Sequence, residues 1–165
     1  MSEAGSSGDS ARRPRARSGR PALARESGAR TVARKLAMQA LYRWQLNACE
    51  WQDLVQEFST DSEMARADAA YFQTLIQGIC ATRGELDAAL APLLDRAPEQ
   101  LDPIEHAVLL LAAYELRQQP QLPYRVVISE AVGLARRFGA TDGHKFVNAV
   151  LDRAARVWRA AEIGA

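Results

Sequence analysis

Nine positions near the C-terminal end, FGATDGHKF from Phe138 to Phe146, hold two phenylalanines, an aspartate, a histidine and a lysine. Side chains of these types serve either proton transfer or phosphate binding, and the two chemistries need different companions. A catalytic histidine needs a nucleophile to activate. None stands beside His144, and the spacing gives no support to a pair with Cys49 or Cys80, so His144 reads as a core-edge imidazole. Metal binding is weaker still, because His106 and His144 are the chain's two histidines and neither has acids at ligand spacing. The expectation is no catalytic residue, no metal and no cofactor.

Anion binding suits the stretch better. Gly139 reads as a helix stop and Asp142 as the N-cap of the next helix, whose free N–H groups and positive end attract phosphate. Lys145 adds charge, while Phe138 or Phe146 offers a ring for stacking. His144 and Asn148 share one flank a turn apart, and Phe146 falls on the other. Asp142 opposes the pattern, since its carboxylate repels phosphate unless it accepts from a base amino group or a ribose hydroxyl.

A second cluster lies in TVARKLAMQALYRW, residues 31–44. At about 100° per residue, Ala33, Leu36, Ala37, Ala40, Leu41 and Trp44 form an apolar side. The opposite side collects Thr31, Arg34, Lys35, Met38, Gln39 and Tyr42, with Arg30 at its edge. No acid occurs between Arg30 and Cys49. Cations a turn apart can neutralise successive phosphates, Gln39 can read a base edge or ribose, and Tyr42 can stack on an unpaired base. RNA fits this better than duplex DNA, because no helix-turn-helix or zinc pattern supplies a groove reader. The competing readings are a solvated helix and a protein contact centred on Tyr42.

The elements that position both clusters read as helices. Strand-like alternation is absent, and apolar residues recur three and four apart. The expected class is all-α, a compact bundle of about seven helices joined by short connections. Helices are expected over Thr31–Asn47, around Leu54–Phe58, after Asp68, from a Thr82–Glu85 capping box to Leu93 with a break at Pro92, after Asp102-Pro103, over Tyr124–Phe138, and from Asp142 onward. Residues 1–28, rich in Ser, Gly, Arg and Pro, are expected to be a disordered basic tail, leaving one domain over 29–162.

Charge is divided unevenly. Residues 1–35 carry nine basic against three acidic groups, +6, and the rest twelve against seventeen, −5. A basic arm on an acidic body suggests an anionic partner, or simply a solubilising tail. Cys49 and Cys80 lack a pairing motif and sit in apolar helical patterns, as buried thiols of a reducing compartment do. No stretch approaches the ~18 apolar residues of a membrane span, so no membrane partner and a cytoplasmic location are expected.

Two segments together carry a family resemblance. RTVARKLAMQALYRWQ resembles the opening helix of the NusB transcription antitermination factors, and PYRVVISEAVGLARRFGATDGHKFVNAVLD resembles that family's signature around HKFVN. LDPIEHAVLLLAAYEL, between them, is similar to the family's fifth-helix pattern. The resemblance spans about Arg30 to Trp158. It implies a non-enzymatic all-helical protein that binds the single-stranded boxA element of ribosomal RNA leaders with the small-subunit ribosomal protein NusE, within the RNA polymerase antitermination complex. By position it implies RNA contacts at Arg34, Lys35, Gln39, Tyr42, Phe138, Asp142, Lys145, Phe146 and Asn148, with phosphate contact shifting to Arg30 or the tail, and partner contacts at Tyr42 and Glu105. Thr31 and Val32 interrupt the usual arginine-rich lead. Leu110 stands for a common arginine, Gly143 for a common serine, and Ser129 and Gly133 for a frequent Asn and Glu. Alternatives kept open are an RNA-recognition module related to those of ribosomal RNA methyltransferases, disfavoured by the lack of a glycine-rich cofactor segment, and a self-associating homodimer.

Overall fold

Helix formation begins earlier than composition suggests. The computed structural model describes residues 19–164, with side chains from Arg25 onward, and the first helix, α1, runs Gly19–Leu46. Residues 19–28, expected to lack order, are its opening turns. The reason is propagation: once the packed segment supplies a nucleus, each added residue gains a hydrogen bond, and a proline at position 21 sits in the first turn, where it is tolerated. The rest of the expected tail lies outside the described residues.

Next come α2, Trp51–Ser59, a 3-10 turn at Ser62–Arg66, and α3, Ala69–Leu90, capped by Asp68 accepting from the Tyr71 amide at 3.0 Å. The break expected at Thr82 exists, with φ −122° and ψ 15°, but the expected capping box does not. The Thr82 hydroxyl instead donates back to the Gly78 carbonyl at 2.7 Å, an alternative local bond open to threonine inside helices. Pro92 ends the helix in a short 3-10 turn.

Helix α4, Pro103–Gln118, starts as its sequence requires. Asp102 accepts from the Ile104 and Glu105 amides at 3.0 and 3.2 Å, and Pro103 occupies a first-turn position that needs no donor. Every residue from Glu105 to Ala113 is buried, so α4 has no solvent stripe; it packs against α1, α3, α5 and α6. Helices α5, Tyr124–Phe138, and α6, Gly143–Trp158, pair with each other across α4, and the short α7, Ala160–Ile163, ends the described chain. Among the described residues there are seven α-helices and no strand.

A buried polar knot ties four helices together. Arg34 Nε on α1 lies 3.0 Å from both carboxylate oxygens of Glu115 on α4. Tyr71 OH on α3 donates to the same carboxylate, and Arg34 Nη1 lies 3.5 Å from Glu130 on α5, which accepts from Thr31 at 2.7 Å. Burial pushes the Glu115 carboxyl above its ordinary range, against the pull of Arg34 and Tyr71. Burial also opposes the Arg34 charge, yet Glu115, Tyr71 and Glu130 outweigh it and raise the guanidinium's pKa.

Candidate nucleic-acid interface

The expected basic side of α1 is not an open face. Arg34 and Met38, read as outward residues, are 3% and 1% exposed. The wheel assigned α1 a single buried stripe, but α3, α4, α2 and the 3-10 turn all pack on it, and Glu130 of α5 reaches Thr31 and Arg34. Arg34 is therefore a structural cation, a correction to its reading as a phosphate contact. Lys35 is half-buried and paired with Glu63. Arg30 lies over the Tyr71 ring at 4.6 Å and 3.8 Å from Asp68. What α1 still presents is Tyr42, 37% exposed, with half-buried Gln39.

The cap of α6 also differs from its expected form. Asp142 has φ 65° and ψ 1°, the left-handed region, and its side chain caps no amide. Its carboxylate meets Lys145 Nζ at 3.2 Å on the open surface, so each neutralises part of the other's field. Gly139, expected as a helix stop, follows the last turn of α5 in extended conformation at φ −81° and ψ 177°. Glycine is required there by space, since a Cβ would lie 2.6 Å from the Ala135 carbonyl oxygen. The stop is thus shared: Gly139 allows the close approach and Asp142 makes the reversal. Asparagine is better suited than aspartate to that conformation.

Around this corner the aromatics pack against the core and carry cations. Phe138 and Phe146 are both half-buried, with guanidinium groups over their rings: Arg137 at 4.8 Å and Arg96 at 5.2 Å. Asn148 is exposed one turn along α6. His144 is half-buried and makes no side-chain hydrogen bond among the described residues, so the corner holds no general base with an orienting partner. No metal-ligating cluster occurs among the described residues.

Glu105, the expected partner contact, is 9% exposed in the first turn of α4. Burial, then Asp102, pushes its carboxyl upward, against Arg96. It fits because position 143 is glycine: a Cβ there would overlap Glu105 Oε1. Position 143 thus controls how far Glu105 reaches the surface. Gly143→Ala is expected to push the carboxylate outward at small cost, since the obstructing atom ends a flexible side chain. A Glu105 pKa that falls toward the ordinary value, followed by NMR titration of the side-chain carboxyl, would record the move. No change would show that Glu105 does not yield.

Sequence reasoning missed Arg96, Arg137, Arg125 and Arg159. Their cation–aromatic and carbonyl contacts join residues distant in sequence, apart from Arg137 and Arg125, whose aromatic neighbours were adjacent and legible. Cys49 and Cys80 are both free and half-buried; burial and Cys49 push the Cys80 thiol up to about 11, against Arg83. No helix among the described residues is long and apolar enough to cross a membrane.

A helical bundle built on a buried central helix, with cations and half-exposed rings gathered at one corner, defines an all-α binding domain. The NusB family model matches residues 31–156, and the chain belongs to the NusB family. It is 49% identical over 136 residues to the transcription antitermination protein NusB of Xanthomonas axonopodis pv. citri, covering 82% of this chain and 86% of that one. The NusB of Xanthomonas oryzae pv. oryzae is also 49% identical, over 82% of this chain and 87% of its own. Among solved structures, T. maritima NusB has a TM-score of 0.68 at 26% identity, covering 76% of this chain and 89% of that one. A complex described as NusB and NusE with dsRNA has a TM-score of 0.65 at 24% identity, over 77% and 96%, a likeness of fold.

Proposed function

We propose that the chain is a non-enzymatic, cytoplasmic antitermination subunit that binds boxA-type single-stranded RNA of ribosomal RNA leaders together with NusE, and so helps RNA polymerase read through terminators. The observation that carries this reading is the stretch of Phe138, Lys145, Phe146 and Asn148, which combines half-buried rings with cations. Rings stack on unpaired bases and cations hold phosphates, the requirements of a single strand. Tyr42 and Glu105 are the proposed NusE contacts, and Tyr42 adjoins the RNA footprint.

The deciding experiment is a titration of labelled boxA-type RNA with the protein alone and with NusE, at several salt concentrations and with a duplex of the same sequence as control. Weak binding alone, tightened by NusE and steeply weakened by salt, is expected. Equal affinity for the duplex, or no effect of NusE, would replace this reading. A stable homodimer that excludes NusE, seen by light scattering, would also replace it. Methyl transfer to RNA from an added donor would restore the methyltransferase-related alternative.

Asp142→Asn removes a negative charge beside the proposed RNA path and keeps a residue that accepts the left-handed conformation. A unit charge near a phosphate in water is worth about 1 kcal/mol, so RNA affinity should rise about fivefold. Unchanged or weaker binding would remove Asp142 from the footprint.

A further inference from the structure

The cations of α1 are consumed inside the molecule: Arg30 by Tyr71 and Asp68, Arg34 by Glu115 and Glu130, Lys35 by Glu63, and Arg43 by Glu57 at 2.8 Å. Lys145 faces Asp142. An RNA-binding surface built on these residues would hold little uncommitted positive charge. That charge lies on α5. Among the described residues, Arg125, Arg136 and Arg137 have no acid within salt-bridge distance, and all three are exposed. Arg25, Arg117 and Arg153 also lack an acidic partner but stand singly on other helices.

Helix geometry puts the α5 cations to joint use. Arg125 and Arg136 are eleven residues apart, three turns, and so share a face about 16 Å in length. Both line a groove of about 620 Å³ between α5 and α6, with Tyr124, Ser129, Gly133 and Asn148. Arg137 borders a second groove of about 520 Å³ toward Lys35 and Arg66, on the other side of Ser129 and Gly133. Ser129 and Gly133 leave the crest of α5 low and uncharged, and a Cβ at Gly133 would meet only open space. The acids nearby are engaged: Glu130 with Thr31 and Arg34, Glu63 with Lys35 and Arg66, and Asp152 with Arg156 at 3.1 Å.

Arg136 and Arg137 stand in the last turn, where a helix favours cations on its own account. Arg125 does not have that explanation. It occupies the first turn, where the helix's own field is positive, and α5 has no acid there. Its Nε donates to Tyr124 OH at 3.1 Å, with the guanidinium 5.7 Å from the ring, which holds the side chain over the groove.

We infer that the outer face of α5 is a phosphate track on which Arg125, Arg136 and Arg137 hold the backbone of a single-stranded RNA whose bases stack at the Phe138–Phe146 corner. Asn148, two residues beyond Phe146 on α6, lines the α5–α6 groove beside Arg125 and Arg136. This rests on the RNA-binding reading above.

The test measures binding of labelled single-stranded boxA-type RNA to the full chain and to Arg125→Ala/Arg136→Ala/Arg137→Ala, over a range of salt. Each lost phosphate contact lowers the slope of log K against log salt by about 0.7, so a loss of about 2 is expected, with at least a tenfold weakening at ~0.1 M salt. The triple Arg→Lys variant should retain the slope, because it keeps the charges, and the single Arg125→Glu variant should weaken binding alone. Binding by the parent with an unchanged slope in the alanine variant overturns the track and leaves the RNA reading standing. Failure of the parent to bind RNA defeats both. Weakened affinity for NusE with an unchanged RNA slope assigns α5 to a protein contact and overturns the inference.

Discussion

Arg34→Ala is expected to destabilise the fold by about 3–5 kcal/mol, because it leaves a buried carboxylate without its cation. Glu115 is 1% exposed, and Arg34 supplies its two 3.0 Å contacts. Tyr71 OH remains, but a single neutral donor does not replace a guanidinium. The charge is the cause, so Arg34→Ala with Glu115→Gln should recover a large part of the loss. Urea unfolding of the two variants measures both numbers. A loss below about 1 kcal/mol in the single variant would show that the knot contributes little.

This outcome bears on function. Loss of RNA binding in an Arg34 variant would report a loosened junction of α1, α3, α4 and α5 before it reported a missing phosphate contact. Lys35 is the better probe of the α1 surface, since its tie to Glu63 is partly exposed.

Arg159→Ala should have the next largest effect, about 2–4 kcal/mol. Arg159 is 7% exposed and follows α6, three residues past the segment that matches the family model. Its Nε donates to the Leu116 carbonyl at 2.7 Å, Nη1 to Leu122 at 2.8 Å, and Nη2 to Gln119 at 3.0 Å and Glu115 at 3.4 Å. Among these, the Leu116 carbonyl has no i+4 amide to accept from because position 120 is proline, whereas Glu115 and Gln119 already accept from the Gln119 and Leu122 amides. Hydrogen bonds to a charged donor contribute about 1.5–3 kcal/mol each, and they are not additive within one fork. Arg159→Lys should recover only part, because an ammonium cannot reach four carbonyls in one plane.

The damage should extend to α5. Arg159 Nη1 also holds Glu162 at 2.6 Å, and Glu162 caps the Tyr124 amide at 3.0 Å. Hydrogen exchange in the first turn of α5 should therefore accelerate in Arg159→Ala, beside Arg125 and its groove. Unchanged protection there, with a lowered melting temperature, would show that the two helix ends are independent.

The amphipathic helices were legible because each needs only local periodicity and a stop signal. The Asp102-Pro103 start and the Gly139 stop each act within one or two turns, and the observed elements follow them. Less legible was α4, whose burial on all sides leaves no polar stripe for a periodicity argument to find. The capping box at Thr82 failed because threonine's hydroxyl has a competing acceptor one turn back, and only the backbone geometry decides between them.

Sequence alone determined that this is a helical protein of the NusB family, with aromatic and cationic residues gathered within positions 138–148. These conclusions rest on residue types, short spacings and order along the chain, which survive any arrangement of the helices. Only the tertiary structure decided which cations are available. Arg34 and Lys35 on α1 and Arg125 and Arg136 on α5 look alike in sequence, yet Glu115 and Glu63 neutralise the first pair and, among the described residues, no acid reaches the second. A charge is free or committed according to partners up to 81 residues away, and no local pattern records them.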